Sequence, residues 1–515
     1  MNEFVFKRAL NLGSGAAEND GEFLNACFVE TPEYETLLDY SDRRMILLGR
    51  TGSGKTALLK YIRPHVDVYI EIRPDTFALQ YISNMPFISS LAKYGVNLEV
   101  FYKFLWLHEI MSKVIKGYFT YNRKNFISLF SEHITNSGRI EQMKKYFTEY
   151  GEVFFEVNSA ENITNMMEQS VAAKVGLPNL GYLRGNLTET QKREIQTAAS
   201  EYINTKQISQ LKNIITLLKE YLSKNKQRRI FVAIDDLDQH WIGDETKYKL
   251  LSALLDSIRN FVDMPCLKIV LAMRSDLLTR TCVETNRQNE KDTAFTLKIN
   301  WTKPMLWGVL NKRIQYLFAH KYQKRYRVSC EDVFQAKVNG EPISDYLINR
   351  TMMRPRDLIT FVNFCIEHSD AKSVIDAESI YEAEKEFLHE RIQALKSEWN
   401  SVYPNIDALL TLLYKMPNDF EVADVLKCYG MCEDVLLNAQ NTDGMLVQAF
   451  LKTPKDNEAL KRNNIQSLIN IWFVLGVVGK REGDVVIYST PSRDMLDDRD
   501  FHDADWFEMH PLFRR

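Results

Sequence analysis

The stretch RRMILLGRTGSGKTALLKYI, residues 43–62, decides the fold of this 515-residue chain. Its apolar run Met45–Leu48 predicts a buried strand, and the apolar face that begins at Ala57 predicts a helix. Between them, residues 49–56 match the pattern G-x-x-x-x-G-K-[ST] at every fixed position. Strand, glycine-rich loop and helix in this order are typical of a P-loop, whose backbone N–H groups surround a phosphate.

Each residue of this loop has a predicted part in the site. The residues that we assign to nucleotide binding are Gly49, Arg50, Thr51, Gly52, Ser53, Gly54, Lys55, Thr56 and Ala57. The glycines let the backbone curl, and Lys55 is expected to reach the β- and γ-phosphates and to belong to the catalytic set. The Thr56 hydroxyl is expected to ligate Mg²⁺. The alternative is a glycine-rich turn that carries a surface lysine.

A P-loop also requires a second strand with a carboxylate at its end. The run Ile230–Ile234 is apolar and rich in β-branched residues, and it is followed by Asp235. We expect this strand to lie beside the P-loop strand, with Asp235 as a magnesium ligand in the Walker B role. Asp236 is then the catalytic group that orients or deprotonates water. Asp238 is better explained as a helix cap or a positioning group.

Arginines at two further places can complete the site. Arg274 ends the next predicted strand, where it can act as a catalytic sensor of the γ-phosphate or pair with Asp276 or a Walker B aspartate. Arg354 and Arg356 flank the proline of a predicted helix. A lid built on that helix would place one of the two over the phosphates and make both candidates for nucleotide binding. Surface ion pairs with Asp357 or nearby acids are the alternative.

Composition excludes several classes of protein. A hydrophobic share of 45%, a charged share of 26% and a net charge of −3 are typical of a globular protein without an overall basic field. The longest apolar run, residues 471–478, is too short to span a bilayer, and the N-terminus does not resemble a secretory signal. Seven scattered cysteines do not form a disulfide framework. We therefore expect a cytoplasmic protein with no membrane contact.

The order of the segments predicts a doubly wound α/β P-loop core with helical additions. The predicted parts are the core over 1–95 and 227–301, a large helical insert over 96–226, a helical lid over 302–395 and a winged-helix-like domain over 396–515. Residues 463–491 have the pattern of the helix and hairpin of a winged helix. The insert is explained equally well as a subdomain for partner contact or as a peripheral helical pack.

The C-terminal domain leaves DNA as a possible partner. Its candidates for phosphate contact are Lys461, Arg462, Lys480 and Arg481. The tail RDMLDDRDFHDADWFEMH, residues 493–510, is acidic, so a continuous DNA-binding face is disfavoured. The pattern favours contact with protein over contact with DNA.

Six motifs together resemble a known group, the STAND/KAP-like, AAA+-related P-loop ATPases of bacteria. The motifs are GSGAAEND (13–20), GRTGSGKTALLK (49–60), FVAIDDLDQHW (231–241), LAMRSDLL (271–278), INWTKPMLW (299–307) and RPRDLITFVN (354–363). The resemblance covers the core and the lid. It implies an ASCE/AAA+-like fold, the cofactors ATP and Mg²⁺, and a winged-helix-like C-terminal region. It also implies that Asp235 binds magnesium, that Asp236 activates water, that Arg274 acts as a sensor and that residues 13–17 help cover the adenine.

The chain departs from this group in two places. The Gly-x-Pro of the STAND lid is here Arg354-Pro355-Arg356, which keeps the proline and loses the glycine, so that either arginine can be the sensor. No clear arginine finger is present; Arg280 and Arg287 are weak candidates, and a homo-oligomer stays open.

The leading hypothesis is a Mg²⁺-dependent ATPase that acts as a molecular switch through a protein effector or sensor. The resemblance alone adds a setting in anti-phage defence. The alternatives are an ATPase that engages duplex DNA through its winged helix, and a scaffold that binds ATP without hydrolysing it.

Overall fold

The computed structural model describes residues 4–73, 86–119, 138, 141, 144–146, 159–176, 188–205, 207–224, 228–237, 244–288, 290–321, 328–400, 402–439, 444–502 and 504–514. The chain divides into two compact units. Unit 1 comprises Met1–Val29, Gly49–Ala57 and Lys298–Arg515, and unit 2 comprises Glu30–Leu48 and Leu58–Leu297.

The described strands are β1 (Ile46–Gly49), β2 (Val68–Ile72), β3 (Ile230–Ile234), β4 (Leu267–Arg274), β5 (Thr296–Lys298), β6 (Lys337–Val338), β7 (Glu341–Pro342), β8 (Asp419–Glu421), β9 (Val478–Glu482), β10 (Val485–Ile487) and β11 (Trp506–Met509).

The helices up to residue 300 are α1 (Gly21–Cys27), α2 (Pro32–Leu38), α3 (Lys55–Ile62), α4 (Pro86–Lys93), α5 (Glu99–Phe119), α6 (Ser159–Val175), α7 (Glu189–Thr205), α8 (Gln207–Lys224), α9 (Asp244–Ile258), α10 (Ser275–Thr285) and α11 (Glu290–Thr293). The later helices are α12 (Lys303–Lys321), α13 (Cys330–Val333), α14 (Ile343–Asn349), α15 (Pro355–Glu367), α16 (Ala377–Trp399), α17 (Ile406–Leu413), α18 (Val422–Lys427), α19 (Tyr429–Leu437), α20 (Met445–Leu451) and α21 (Glu458–Leu475). None of the helices described here combines the length and the apolar character needed to cross a membrane.

A five-stranded sheet in the order β2-β3-β4-β1-β5 forms the α/β core. Strand β3 runs parallel to both of its neighbours, with Val232 opposite Ile70 of β2 and Ile269 of β4. The prediction that the Walker B strand lies beside the P-loop strand is wrong, because β4 is inserted between β1 and β3. The parallel strands and the glycine-rich loop between β1 and α3 make this a P-loop NTPase-like fold.

In unit 2 the sheet and the described insert helices share one hydrophobic core. Helix α5 packs against α9 and β2. Its Trp106 is fully buried and donates an indole hydrogen bond of 2.9 Å to the Leu250 carbonyl. A Cβ on Gly117 would lie 2.8 Å from Ile70 of β2, so the glycine lets the helix approach the sheet closely. The insert is therefore packed into the core of unit 2.

Unit 1 has its own hydrophobic core, formed by the helices after residue 300 and a small sheet. The sheet has the order β10-β9-β11-β8, and its strands pair antiparallel. The predicted apolar helix and hairpin are present as α21, β9 and β10, with the left-handed Gly483 (φ +61°) at the turn. A winged-helix assignment for this part remains a proposal.

Substitution of Trp472 on α21 tests the packing of the hydrophobic core of unit 1. Its fully buried indole donates a 2.9 Å hydrogen bond to the Leu409 carbonyl and packs edge-on against Phe420. We expect Trp472→Phe to lower the free energy of unfolding by about 2–3 kcal/mol, through lost volume and the lost hydrogen bond. Denaturant unfolding followed by circular dichroism measures this. Trp506→Phe, at a half-exposed indole, is the matched control, and equal losses from both variants would contradict the packing described.

Candidate functional site

The glycine-rich loop connects β1 to α3 and has the backbone shape that its glycines allow. Gly52 and Gly54 adopt left-handed conformations, with φ of +76° and +94°, which L side chains rarely tolerate. The Lys55 ammonium donates hydrogen bonds of 3.1 Å to the carbonyls of Gly49 and Arg50. Lys55 is thereby held at the start of α3, inside the curl of its own loop.

The loop lines a cleft together with two other segments of unit 1. These segments are residues 14–24 and the first turn of α15, with Arg313 of α12 completing the wall. The lining residues are Ser14, Gly15, Ala17, Glu18, Asp20, Leu24, Gly52, Gly54, Lys55, Thr56, Ala57, Arg313, Pro355, Arg356 and Ile359. The structure thus brings together the loop, the segment predicted to cover the adenine, and one of the two candidate lid arginines.

A buried ion pair fixes the N-terminal segment at this cleft. The Asp20 carboxylate accepts hydrogen bonds from the Arg313 guanidinium and, at 2.8 Å, from the Ser14 amide. Both side chains of the ion pair are almost fully buried, so the pairing compensates two desolvated charges. Asn363 of α15 adds a 2.9 Å hydrogen bond to the Gly13 carbonyl. The path of residues 13–20 is therefore set by α12 and α15.

Arg356 lies in the cleft. Its Nε donates a 3.0 Å hydrogen bond to the Gly15 carbonyl. A Cβ on Gly15 would come within 2.9 Å of the Arg356 side chain, and a Cβ on Gly52 within 3.0 Å. The two glycines leave the room that the arginine occupies between the loop and the N-terminal segment.

Arg354 has a different place, although it is only two residues away. It is 2% exposed and donates a 2.8 Å hydrogen bond to the Thr51 carbonyl. Its guanidinium lies 3.6 Å from Glu398, which lies 3.5 Å from Arg391. Arg391 in turn pairs with the buried Asp357 at 2.9 Å. Arg354 therefore contacts the loop backbone and does not line the cleft.

The remaining loop residues do not line the cleft. Within the described residues, the side chains of Arg50, Thr51 and Ser53 are not part of the cleft wall, and neither is Gly49. Arg50 donates to the carbonyls of Ser489 and Val474. The Ser53 carbonyl accepts a 2.8 Å hydrogen bond from the Trp301 indole.

The carboxylates predicted after β3 belong to unit 2. Asp235 is 9% exposed at the end of the strand. Asp236 has a left-handed backbone, with φ of +62°, and lies 3.6 Å from Arg73 at the end of β2. A non-glycine residue in this conformation at a strand end marks a constrained position, where strain often accompanies function. Asp238 lies outside the described residues.

The predicted sensor of unit 2 is engaged in an ion pair. Arg274 donates two hydrogen bonds, of 2.9 and 2.8 Å, to Asp276, which is one of the two alternatives that the sequence left open. The two weak arginine-finger candidates also have partners. Arg280 donates to the Tyr248 hydroxyl, and Arg287 is paired with Asp256 and Asp292 at 2.9 and 2.7 Å.

Sequence reasoning missed four residues that shape these places: Asp20, Arg73, Trp301 and Arg313. Asp20 and Trp301 lie inside the motifs GSGAAEND and INWTKPMLW, but nothing in a local pattern shows that a carboxylate will pair with a residue 293 positions away. Arg73 directly follows an apolar strand, and its position at a strand end is a usable signal.

The chemistry of the cleft fits a nucleoside polyphosphate. It combines the Lys55 ammonium, the Arg356 guanidinium and the Thr56 hydroxyl with a loop of left-handed glycines. Cations and hydroxyls of this kind bind phosphate oxygens, and a threonine hydroxyl is a suitable oxygen ligand for Mg²⁺. Arg313 also lines the cleft, but it is paired with Asp20. The other charged residues of the wall are the cations Lys55 and Arg356 and the acidic Glu18.

Comparison with known proteins adds three findings. Residues 304–396 match the family model of the FunZ-associated C-terminal helical domain. The chain is 21% identical over 512 residues to the 80.3 kDa protein ascribed to transposon gamma-delta of Escherichia coli strain K12. That alignment covers 97% of this chain but only 66% of the relative. A Walker-type ATPase of Pyrococcus abyssi aligns with 91% of this chain and 95% of its own, at 11% identity and a TM-score of 0.37.

A buried histidine supports the turn that precedes Arg354. His510 is 3% exposed; its Nδ1 accepts a hydrogen bond from the Leu512 amide, and its Nε2 lies 3.1 Å from the Thr351 carbonyl. The first contact requires a bare Nδ1, so Nε2 carries the proton and donates to Thr351. Burial lowers the pKa of His510 from 6.5 to about 4. The imidazole is therefore neutral at pH 7.

This lowered pKa predicts an acid-sensitive stability. The unfolded imidazole takes up a proton below pH 6.5, whereas the folded one does so only near pH 4. The contribution of the neutral His510 to the free energy of unfolding is therefore present above pH 6.5 and is lost as the pH falls toward 4. By pH 5 the loss should reach about 2 kcal/mol. We expect His510→Gln, which keeps a donor for Thr351, to lose less stability than the wild type between pH 7 and pH 5. Denaturant midpoints at both pH values measure this, with His368→Gln as the control. A parallel decline in all three proteins would refute the assignment.

Proposed function

We propose that this protein is a P-loop ATPase that binds ATP in the cleft of unit 1 and hydrolyses it with Mg²⁺. One observation carries the proposal: the glycine-rich loop, the segment 14–20 and Arg356 line a single cleft. The sequence pattern G-x-x-x-x-G-K-[ST] predicts phosphate at this loop, and the cations in the cleft match the charge of that ligand.

Each cleft residue has a task in this proposal. Lys55 exchanges its two loop carbonyls for oxygens of the β- and γ-phosphates. Arg356 leaves the Gly15 carbonyl and donates to the γ-phosphate, where it stabilises charge as the terminal bond breaks. Residues 14–17 cover the base. Arg354 is not proposed as a nucleotide ligand, because its buried guanidinium already contacts the loop backbone.

The assignments in unit 2 rest on the sequence motifs. Magnesium, when bound, neutralises charge on the phosphate oxygens; Thr56 and Asp235 are its proposed ligands. Asp236 is the proposed group that orients water, and its left-handed backbone and its ion pair with Arg73 support a constrained carboxylate. For Arg274 the ion pair with Asp276 supports a structural role, so a sensor role would require that pair to open.

The proposed role is a molecular switch that passes the nucleotide state to a protein partner. The match over 304–396 to a helical domain supports a helical lid region after the core. A relative ascribed to a transposon supports a mobile-element setting, while anti-phage defence rests on the STAND/KAP resemblance alone. Because the chain spans 66% of that relative, the activity of the whole relative is not transferred.

DNA binding is the second candidate, and the contacts of the C-terminal region disfavour it. Lys480 is buried and lies 3.0 Å from Asp500, and Arg481 lies 2.8 Å from Glu508. Lys461 pairs with Glu458 at 2.7 Å. These three cations already pair with carboxylates, whereas phosphate contact requires cations that are available to displace the counterions of DNA. The described ion pairs therefore argue against phosphate contact by these three residues.

Substitution of the loop lysine tests ATP binding. We expect Lys55→Ala to weaken MgATP affinity by about tenfold or more, because it removes a charged donor to the phosphates. Titration with a fluorescent ATP analogue measures the affinity. Lys7→Ala, at an exposed lysine of the same unit, should bind like the wild type. Unchanged affinity in Lys55→Ala would remove the basis of the proposal.

Substitution of the cleft arginine tests hydrolysis. We expect Arg356→Gln to lower kcat by about a hundredfold with a smaller effect on affinity, because its donor acts on charge that develops during bond breaking. Phosphate release under saturating MgATP measures kcat, and Arg8→Gln, at an exposed arginine, is the control. A wild-type protein that binds ATP but shows no turnover would favour the non-hydrolysing scaffold instead.

A further inference from the structure

Two consecutive residues of the glycine-rich loop are held from outside the cleft. Arg50 reaches out with its side chain, and Thr51 accepts a hydrogen bond on its carbonyl. Both partners come from the part of unit 1 that follows residue 350: α21 and the segment after β10 for Arg50, and Arg354 for Thr51. Nothing in the G-x-x-x-x-G-K-[ST] pattern requires an arginine at position 50, so its role has to be found in its contacts.

The partner of Arg50 on α21 is a carbonyl that the helix cannot satisfy by itself. At this C-terminus the Gly476 amide donates to the Phe473 carbonyl, and the Val477 amide donates to the Trp472 carbonyl. The next carbonyl, that of Val474, accepts a hydrogen bond from the Arg50 guanidinium instead. A cation is favoured at a helix C-terminus because the last carbonyls carry partial negative charge. The contact therefore stabilises both the helix end and the loop.

The residues around Arg50 leave room for its guanidinium and accept hydrogen bonds from it. A Cβ on Gly476 would lie 3.0 Å from Nη1 of Arg50, so the glycine that ends α21 also admits the arginine. A second contact of 3.2 Å runs from Nη1 to the Ser489 carbonyl. Arg50 lines a cavity of about 610 Å³ that includes Met352 and His510 and shares no residue with the cleft.

Arg354 makes the second contact that holds the loop, through the Thr51 carbonyl, and its positive charge is paired with Glu398. Its buried guanidinium is part of the chain Arg354–Glu398–Arg391–Asp357, two cations and two carboxylates linked by contacts of 3.6, 3.5 and 2.9 Å. Such a network is rigid when all its members are paired, because opening it exposes an unpaired buried charge. The Thr51 carbonyl is thus tied to a fixed point on α16.

We propose that Arg50 and Arg354 are positioning residues that hold the phosphate-binding loop in its binding shape, and that they couple nucleotide occupancy to α21 and the β10 segment. The coupling rests on the proposed ATP site, whereas the positioning does not. A loop whose amides are reserved for a ligand needs its path fixed by other groups, and these two arginines fix it at adjacent residues.

Hydrogen exchange on the ligand-free protein tests the positioning. We expect Arg50→Gln to speed exchange of the amides in residues 49–54 by about tenfold, because the loop opens more readily without its attachment. Arg499→Gln, at an exposed arginine of the C-terminal region, should leave this exchange unchanged. Arg50→Lys should restore part of the protection, and it replaces Arg50→Gln if that variant does not fold. Wild-type exchange rates at residues 49–54 in both Arg50 variants would overturn the proposal.

Nucleotide measurements test the coupling. We expect Arg50→Gln and Arg354→Lys to weaken MgATP affinity by about tenfold with kcat little changed, the reverse of Arg356→Gln. MgATP should slow exchange at residues 472–490 in the wild type but not in Arg50→Gln. Bound MgATP without any change at 472–490 in the wild type would overturn the coupling. A wild type that binds no MgATP would overturn the ATP site instead, and the ligand-free exchange would still decide the positioning.

Discussion

A backbone that offers its N–H groups to a ligand cannot use them to hold itself in place. This constraint governs unit 1. The loop between β1 and α3 has left-handed glycines at 52 and 54, which provide curvature but no side-chain contacts. Two donors from elsewhere in the chain fix its path: the Trp301 indole donates to the Ser53 carbonyl, and the Arg354 guanidinium donates to the Thr51 carbonyl. Within the loop, the Lys55 ammonium donates to the Gly49 carbonyl.

Burial distinguishes the two arginines that flank Pro355. Arg354 is the N-cap residue of α15, has an extended backbone conformation, and belongs to the buried ion-pair network with Glu398. Arg356, in the first turn of the same helix, lies in the cleft and contacts Gly15. A buried group in a network of ion pairs holds the local geometry, whereas a half-buried one that donates to a neutral carbonyl can change partner at low cost. This difference makes Arg356 the better candidate for a group that responds to nucleotide.

The local sequence pattern predicted those strands, helix ends and turns that depend on a few neighbouring residues. The strand Ile230–Ile234, the start of α15 at Pro355 and the hairpin around Gly483 all follow from residue order, because apolar runs and turn residues act over a few positions. The predicted strand order was wrong, because the position of β4 between β1 and β3 depends on pairing between strands that are far apart in the sequence. The different positions of Arg354 and Arg356 also could not be predicted. Glu398, which pairs with Arg354, lies more than 40 residues after it in the sequence.

The buried ion pair of Asp20 and Arg313 shows the same limit at the cleft. The motif GSGAAEND could be recognised, but its position against α12 and α15 depends on a charge pair between residues 293 positions apart. Lys55 and Thr56, which the motif assigns to the site, do line the cleft, because both lie in one loop and the start of the helix that follows it.

A crystal structure of the protein with Mg²⁺ and a non-hydrolysable ATP analogue tests the central claim most directly. The account predicts a triphosphate bound at residues 52–56, with Lys55 and Arg356 within hydrogen-bonding distance of its oxygens and Arg354 still on the Thr51 carbonyl. An analogue bound elsewhere, or an empty cleft at saturating analogue concentration, would contradict it.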